Sequence, residues 1–215
     1  MRSPRFKDII YVRGDVTEPI NLPIPAIRHR RELKIIAHCC NNHGIWGRGV
    51  VMSISNKWPA AREKYINSHS ERELGCISFL NVEYQTRTII VGDNSVKDPM
   101  LYEIEFATDI AVCNMIGQDG IYESTTKEIV YKEDGTSTEI SITTPPVRYA
   151  ALHMALFKLS QIIAYYKRDD KYDSITIHCP RFGCSLAGGV WDKVEPLIHE
   201  ELSDRGIQVV VYDLP

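Results

Sequence analysis

The sequence predicts one α/β domain, a mostly parallel or mixed sheet covered by helices on both faces. Three observations predict it. Short apolar runs of strand character alternate with stretches of helical spacing. Two of the innermost runs lead straight into glycine-rich loops, each followed by a helical stretch. Neither a linker nor an internal repeat divides the 215 residues, a length that suits one domain with a sizeable core.

The elements follow in order. Asp8-Ile9-Ile10-Tyr11-Val12 is a short strand ended by Arg13-Gly14-Asp15, and Thr17 to Arg31, with Pro19, Pro23 and Pro25, reads as an irregular crossing. Leu33 to Ala37 is a nearly continuous apolar run closed by His38, the pattern of a central strand buried on both faces. It enters the loop from Asn41 to Gly49. Val50, Val51, Ile54 and Trp58 then line one helical face, Pro59 marks a boundary, and Ala60 to His69 forms a second short helix. Gly75 to Val82 and Thr88 to Val91 are strand candidates, and the polar stretch Asp93 to Glu105 supports no firm element. Ile110 to Ile116 is another inner strand. Residues 123–142 alternate Ile and Val with polar groups about Asp134-Gly135, which predicts a hairpin. After Pro145-Pro146 comes the clearest helix, Val147 to Lys167, with a broad apolar face that includes Leu152, Leu156, Leu159 and Ile163. Ser174 to His178 is a strand entering the second glycine loop, Trp191 to Leu202 a helix, and Ile207 to Tyr212 the last strand after a turn at Gly206.

Composition narrows the functional classes. Apolar residues at 44 % and charged residues at 25 % are an ordinary soluble mixture, which argues against a disordered chain. A net charge of −3 disfavours a broad duplex-binding surface. The short basic run Arg28, Arg30, Arg31 reads as a solvated loop before it reads as a phosphate contact. No apolar run reaches membrane-spanning length, so no membrane partner is expected. The six cysteines do not suggest a disulfide framework in a chain of this size that opens without an apolar export segment, so the expectation is a reduced, cytoplasmic protein. Cys39 and Cys40 point to opposite faces of a strand and cannot easily share an ion, so no metal is expected either.

The chemistry concentrates at the strand ends. Gly44, Gly47 and Gly49 on one loop, and Gly183, Gly188 and Gly189 on the other, let backbone amides approach anionic oxygens. The spacing fits neither the phosphate loop of nucleoside triphosphatases nor the dinucleotide fingerprint. Asp15 accepts from an exocyclic amine or caps a turn. Asn41 and Asn42 bind a ribose hydroxyl or brace the loop. Trp46 packs under the loop or covers a sugar or base. His38 is a proton-transfer group or a satisfied core histidine, and Asp192 a helix-cap carboxylate or a catalytic one. No serine sits in a nucleophile elbow.

The ordered set Gly14-Asp15-Val16-Thr17, then Ala37-His38-Cys39-Cys40-Asn41-Asn42 with Gly44-Ile45-Trp46-Gly47-Arg48-Gly49, then Pro180-Arg181-Phe182-Gly183-Cys184-Ser185-Leu186-Ala187-Gly188-Gly189-Val190-Trp191 resembles the macro domain family. Within it the chain looks most like the branch that includes the yeast ADP-ribose-1''-phosphate phosphatase and its bacterial and phage relatives. Asn114-Met115-Ile116-Gly117-Gln118 and Val211-Tyr212-Asp213-Leu214 extend the match to about residues 8–214, with insertions at 93–108 and 123–142. The resemblance implies a three-layer α/β/α fold with a mixed central sheet; a monomer that needs no cofactor is expected.

It also implies a ligand, an ADP-ribose derivative. Asp15 would bind the adenine amine beside the Val16 backbone, Asn41 or Asn42 the distal ribose, and the two glycine loops the diphosphate. The phosphatase branch implies hydrolysis of ADP-ribose 1''-phosphate, with His38 as acid, base or water-positioner. Amide donors and Arg181 would stabilise developing charge, and Asp192 would serve only if its helix start bends into the pocket. Hydrolysis of ADP-ribose from modified protein or nucleic acid is the alternative, and a non-catalytic reader a further one. Ala187 stands where the deacylating branch has an aspartate, which counts against a covalent lysine mechanism.

Overall fold

A computed structural model describes residues 7–22, 29–92, 101–131 and 135–213. Arg28, residues 93–100, Glu133, Asp134 and Leu214 lie outside the described residues. Six strands form the main sheet: β1 (Ile10–Arg13), β2 (His29–Asn41), β3 (Ile77–Gly92), β4 (Leu101–Gln118), β7 (Ser174–Pro180) and β8 (Gln208–Asp213), in the order β1-β8-β7-β2-β4-β3. The first five in that order run parallel, and β3 returns antiparallel to β4 along the edge. Strands β5 (Ser124–Tyr131) and β6 (Ser137–Thr144) make a separate hairpin.

Helices α1 (Val50–Lys57) and α2 (Pro59–Asn67) cover one face, and α3 (Tyr149–Arg168) and α4 (Trp191–Glu201) the other. The period-two alternation of a strand sets the layers. In β2, Leu33, Ile35 and Ala37 enter the core shared with Leu152, Leu156 and Leu159 of α3. Ile36 faces Ile54 of α1 and Ala61 of α2, and Cys40 lies against Tyr65 of α2. The molecule is therefore a three-layer α/β/α fold with a mixed central sheet, as predicted.

The main departure is at one edge. Two short strands and an irregular stretch were expected between residues 75 and 108, but β3 and β4 form one long ribbon paired from Ile77↔Met115 to Gly92↔Leu101. Residues 101–105 are ladder, not loop. Glu83, Gln85, Thr86, Arg87 and Thr88 lack the apolar alternation that announces a half-buried strand, so the sequence breaks the ribbon in two. On β2 the sequence run was likewise too short: pairing with β4 begins at His29. Arg31 of the basic run lies in this strand, ion-paired to Asp109 at 3.2 Å and stacked on Tyr172, at the end of β2 remote from the glycine loop.

Candidate functional site

Because β1, β8, β7, β2 and β4 are parallel, their C-terminal ends share one rim, where ligands of open α/β sheets collect. Asp15 follows β1, the Gly44–Gly49 loop follows β2, Asp119 follows β4, and the Arg181–Gly189 loop follows β7. Gly49 precedes α1 with φ +79, a conformation most side chains avoid, and no side-chain cap occupies the helix start. A methyl added to Gly49 would touch Leu186 Cδ1 at 3.5 Å, so the two glycine loops face one another across a narrow gap. Gly189 donates to the Gly183 carbonyl at 2.9 Å and closes the second loop, within which Ser185–Ala187 makes one 3-10 turn. Phe182 and Ala187 are buried in the α3–α4 core, and the Ala187 carbonyl accepts from Val147 N at 3.1 Å.

His38 does not reach this rim. Its side chain is 0 % exposed, on the α1–α2 face of the sheet. The ring Nε2 donates to Asn114 Oδ1 at 2.6 Å, an assignment that follows because the Asn114 amide nitrogen is engaged with the Ala61 carbonyl at 3.3 Å. Its Nδ1 faces Cys40 Sγ at 3.6 Å, and Trp46 packs edge-on against the ring at 5.5 Å. Burial holds the imidazole down to about 4, against the raising effect of Asn114 and of the Cys39 backbone. Asp192 is exposed in the first turn of α4, on the opposite face of the sheet. The two catalytic candidates, His38 and Asp192, are thus not brought together.

Trp46 packs under its loop, against His38 and Tyr65. The Asn41 side-chain oxygen accepts from the amides of His43 at 3.0 Å and Ile45 at 3.1 Å, and its nitrogen donates to the Ile45 carbonyl at 2.6 Å. Asn41 is therefore the brace of the loop. Asp15 accepts from the Thr17 amide and hydroxyl, each at 2.9 Å, in a turn, and the Val16 side chain is buried with Ile36 and Val210. Arg181 was read as a stabiliser of phosphate charge. Its guanidinium instead forks onto Asp213 at 2.6 and 3.1 Å between the rings of Tyr11 and Trp191. Ile45, Gly47, Arg48 and Leu186 remain exposed on the two loops.

His178, at the matching place on β7, is also structural. Its Nε2 pairs with Thr176 at 2.9 Å and its Nδ1 with the Tyr212 hydroxyl at 2.9 Å, which in turn accepts from Ile20 N. That chain ties the Pro-rich crossing to the sheet. All six cysteines are free, and burial pushes the Cys39 and Cys113 thiols up to about 12. Among the described residues, His153, Glu200 and Glu201 bring three ligand-type atoms within 4.8 Å, but Arg205 already neutralises Glu201 at 2.7 Å. None of the helices described is long and apolar enough to cross a membrane.

Sequence reasoning missed a cleft of about 330 Å³ beside the first loop. His43 and Ile45 form one wall, Asp119 to Tyr122 the other, and Arg148 stands at the N-terminus of α3. Asn42 joins the walls: its nitrogen donates to Asp119 Oδ1 at 3.1 Å, and its oxygen accepts from Gly120 N at 2.9 Å. Gln118-Asp119-Gly120, a polar stop directly after an inner apolar strand, was the available signal.

Comparison with known proteins agrees with this architecture. The chain is 32 % identical to a macrodomain protein of Streptomyces coelicolor, covering 96 % of this chain and 99 % of that one, with a TM-score of 0.59. The chain belongs to the macrodomain family. A Bacteroides thetaiotaomicron protein of unknown function is also 32 % identical over 96 % of this macrodomain and 98 % of its own length, with a TM-score of 0.65. The macrodomain of Thermus aquaticus DarG shares the fold at 17 % identity and a TM-score of 0.51. Among curated proteins, the zebrafish (Danio rerio) chromodomain-helicase-DNA-binding protein 1-like is 26 % identical over 207 residues. This macrodomain spans 15 % of the length of that relative and 18 % of its mouse counterpart. No family model matches the chain.

Proposed function

We propose that this macrodomain holds ADP-ribose between its two glycine loops and hydrolyses the bond that joins the distal ribose to a protein or nucleic-acid acceptor. Support for the nucleotide comes from the rim: backbone amides of two facing loops, and two helices, α1 and α4, that start there without a side-chain cap.

The observation that carries a conjugated substrate over ADP-ribose 1''-phosphate is the enclosure of His38. A phosphatase reading requires that ring at the reacting phosphate, yet it is 0 % exposed and both of its nitrogens face core groups. The cleft beside Asn42, by contrast, offers open space next to the loop assigned to the distal ribose, which a macromolecular acceptor needs. A second reading, a binding module without turnover, draws on Ala187, which is buried and offers no carboxylate to the second loop.

The test measures three things on the same protein: ADP-ribose released from mono-ADP-ribosylated protein and from ADP-ribosylated DNA, phosphate released from ADP-ribose 1''-phosphate, and affinity for free ADP-ribose. Release from either conjugate without phosphate release is expected. Phosphate release that collapses in H38A would overturn the proposal in favour of the phosphatase. Tight binding with no product from any substrate would leave the reader.

A further inference from the structure

We infer that Asp119 is the catalytic base of this macrodomain, held in place by Asn42 and Arg148. The inference rests on the hydrolase reading above and adds the group that activates water there.

Its basis is the way the chain builds one carboxylate into the cleft. Among the described residues that line it, Asp119 is the only carboxylate. The ladder between β2 and β4 shifts register where Cys40↔Ile116 gives way to Asn41↔Gln118, which sets Asn42 beside Asp119. The Asn42 amide nitrogen then holds Oδ1 at 3.1 Å while Arg148 Nη2 holds Oδ2 at 3.1 Å. The backbone is pinned as well: Asp119 N donates to the Pro146 carbonyl at 2.9 Å, and Arg148 N to the Gly117 carbonyl at 2.8 Å. Arg148 also reaches the Pro145 carbonyl, so the guanidinium is itself anchored.

Despite these contacts the Asp119 side chain is 45 % exposed. Each carboxylate oxygen has two acceptor directions, so one donor apiece leaves room for a water. A fixed yet open carboxylate is what positioning a nucleophilic water demands. The Asn42 amide, followed by the Arg148 charge, keeps the carboxyl below its usual range, so it stays ionised at neutral pH. With the distal ribose at this cleft, as the hydrolase reading has it, an ionised carboxylate suits a glycosidic bond, whose cleavage passes through an oxocarbenium-like state and needs only a modest base for the water.

The step balances. A water oxygen bonds to C1'' of the distal ribose while Asp119 takes one of its protons. The bond from C1'' to the acceptor oxygen breaks with its electron pair on that oxygen. The proton then passes from Asp119 to the departing group, giving ADP-ribose and the free acceptor. Nothing is oxidised or reduced.

The experiment compares wild type, D119N, D119A, R148M, R148K and H43N for ADP-ribose release from mono-ADP-ribosylated protein and from ADP-ribosylated DNA, with ADP-ribose affinity and Tm on each. D119N and D119A should lower kcat on the order of 10²- to 10⁴-fold, the usual worth of a general base, while affinity changes by less than about threefold. R148M should lower kcat less than D119N does, and R148K should recover part of it, as befits a positioning residue. D119N turnover within about threefold of wild type, or a loss matched by lost affinity, would overturn the assignment alone. So would a collapse in H43N that exceeds the one in D119N. Absence of release by the wild type would overturn the hydrolase reading, and this inference with it.

Discussion

The His38 ring and the Asn114 side chain share a 2.6 Å hydrogen bond in the layer between β2, β4 and α2, and neither residue is more than 1 % exposed. On the neighbouring strands, His178 is also 0 % exposed, in a chain with the buried Thr176 and Tyr212. The hydrogen bonds of both rings are those of neutral imidazoles. Burial holds His38 at about 4 and His178 at about 3, where the latter is also repelled by the Lys34 charge.

A pH dependence of stability follows. Above about pH 6.5, the ordinary histidine value, neither folded nor unfolded chain protonates these rings, and their stabilising contribution is complete. As pH falls below it, the unfolded chain takes up two protons that the folded one refuses, so stability falls. The His38 share is lost by about pH 4 and the His178 share by about pH 3. At about 1.4 kcal/mol per pKa unit, the combined loss is several kcal/mol. Urea melts at pH 7, 6, 5 and 4.5 should show this decline before the carboxylates titrate. A flat midpoint across that range would mean that the rings are not neutral and buried in solution.

The second glycine loop has no room for a side chain at Gly189. An added Cβ would overlap the Gly183 carbonyl oxygen, which is the acceptor that closes the loop. Gly189→Ala should therefore cost about 2 kcal/mol, on the order of 5 °C in Tm, and weaken ADP-ribose binding by more than about tenfold. Gly47→Ala is the contrast. Nothing lies within 4 Å of an added Cβ there, so Tm should hold while affinity falls if the ligand backbone runs past Gly47. Calorimetric titration and melting curves on both variants separate a packing defect from a blocked site.

The layers and both glycine loops were legible because a strand buried on two faces and a glycine-punctuated turn leave local signatures. Leu33 to Ala37 and Ile207 to Tyr212 show the first, Gly44 to Gly49 the second. The role of His38 was not legible. Its place at a strand end is a local fact, but its partner Asn114 comes from β4, and the Ala61 carbonyl that orients Asn114 comes from α2. Asp119 escaped notice for the same reason: its two partners lie 77 and 29 positions away. Long-range closure, not composition, decides whether a polar residue is core or site.

Arg181 offers a test of that distinction. Its fork is matched to Asp213, and its face stacks on Tyr11 and Trp191. The pair is about two-fifths exposed on each side, so its worth to folding is small, about 1 kcal/mol or less. Arg181→Ala should leave ADP-ribose affinity within about threefold of wild type, because the guanidinium is not free to meet a phosphate. A loss of tenfold or more by calorimetric titration would show that the ligand draws Arg181 away from Asp213.

The hairpin β5–β6 should be dispensable for folding. Every residue of β5 is exposed, and β6 is exposed up to its last residue. The two strands pair only with each other in the topology of the sheets, so the apolar groups Ile129, Val130, Ile140 and Ile142 lie on its surfaces instead of in the core. Thr125 and Thr143 face one another across the ladder, close enough for a short turn to join their neighbours. Replacing residues 125–143 by a few Gly and Ser residues keeps Ser124 at the cleft and removes the rest. Tm and ADP-ribose affinity should then change little, because burial of apolar area sets stability and none of the fully buried core side chains belongs to the hairpin. A fall in urea-unfolding stability of more than about 2 kcal/mol, the worth of one buried aliphatic side chain, would show that the hairpin packs onto the main domain in solution.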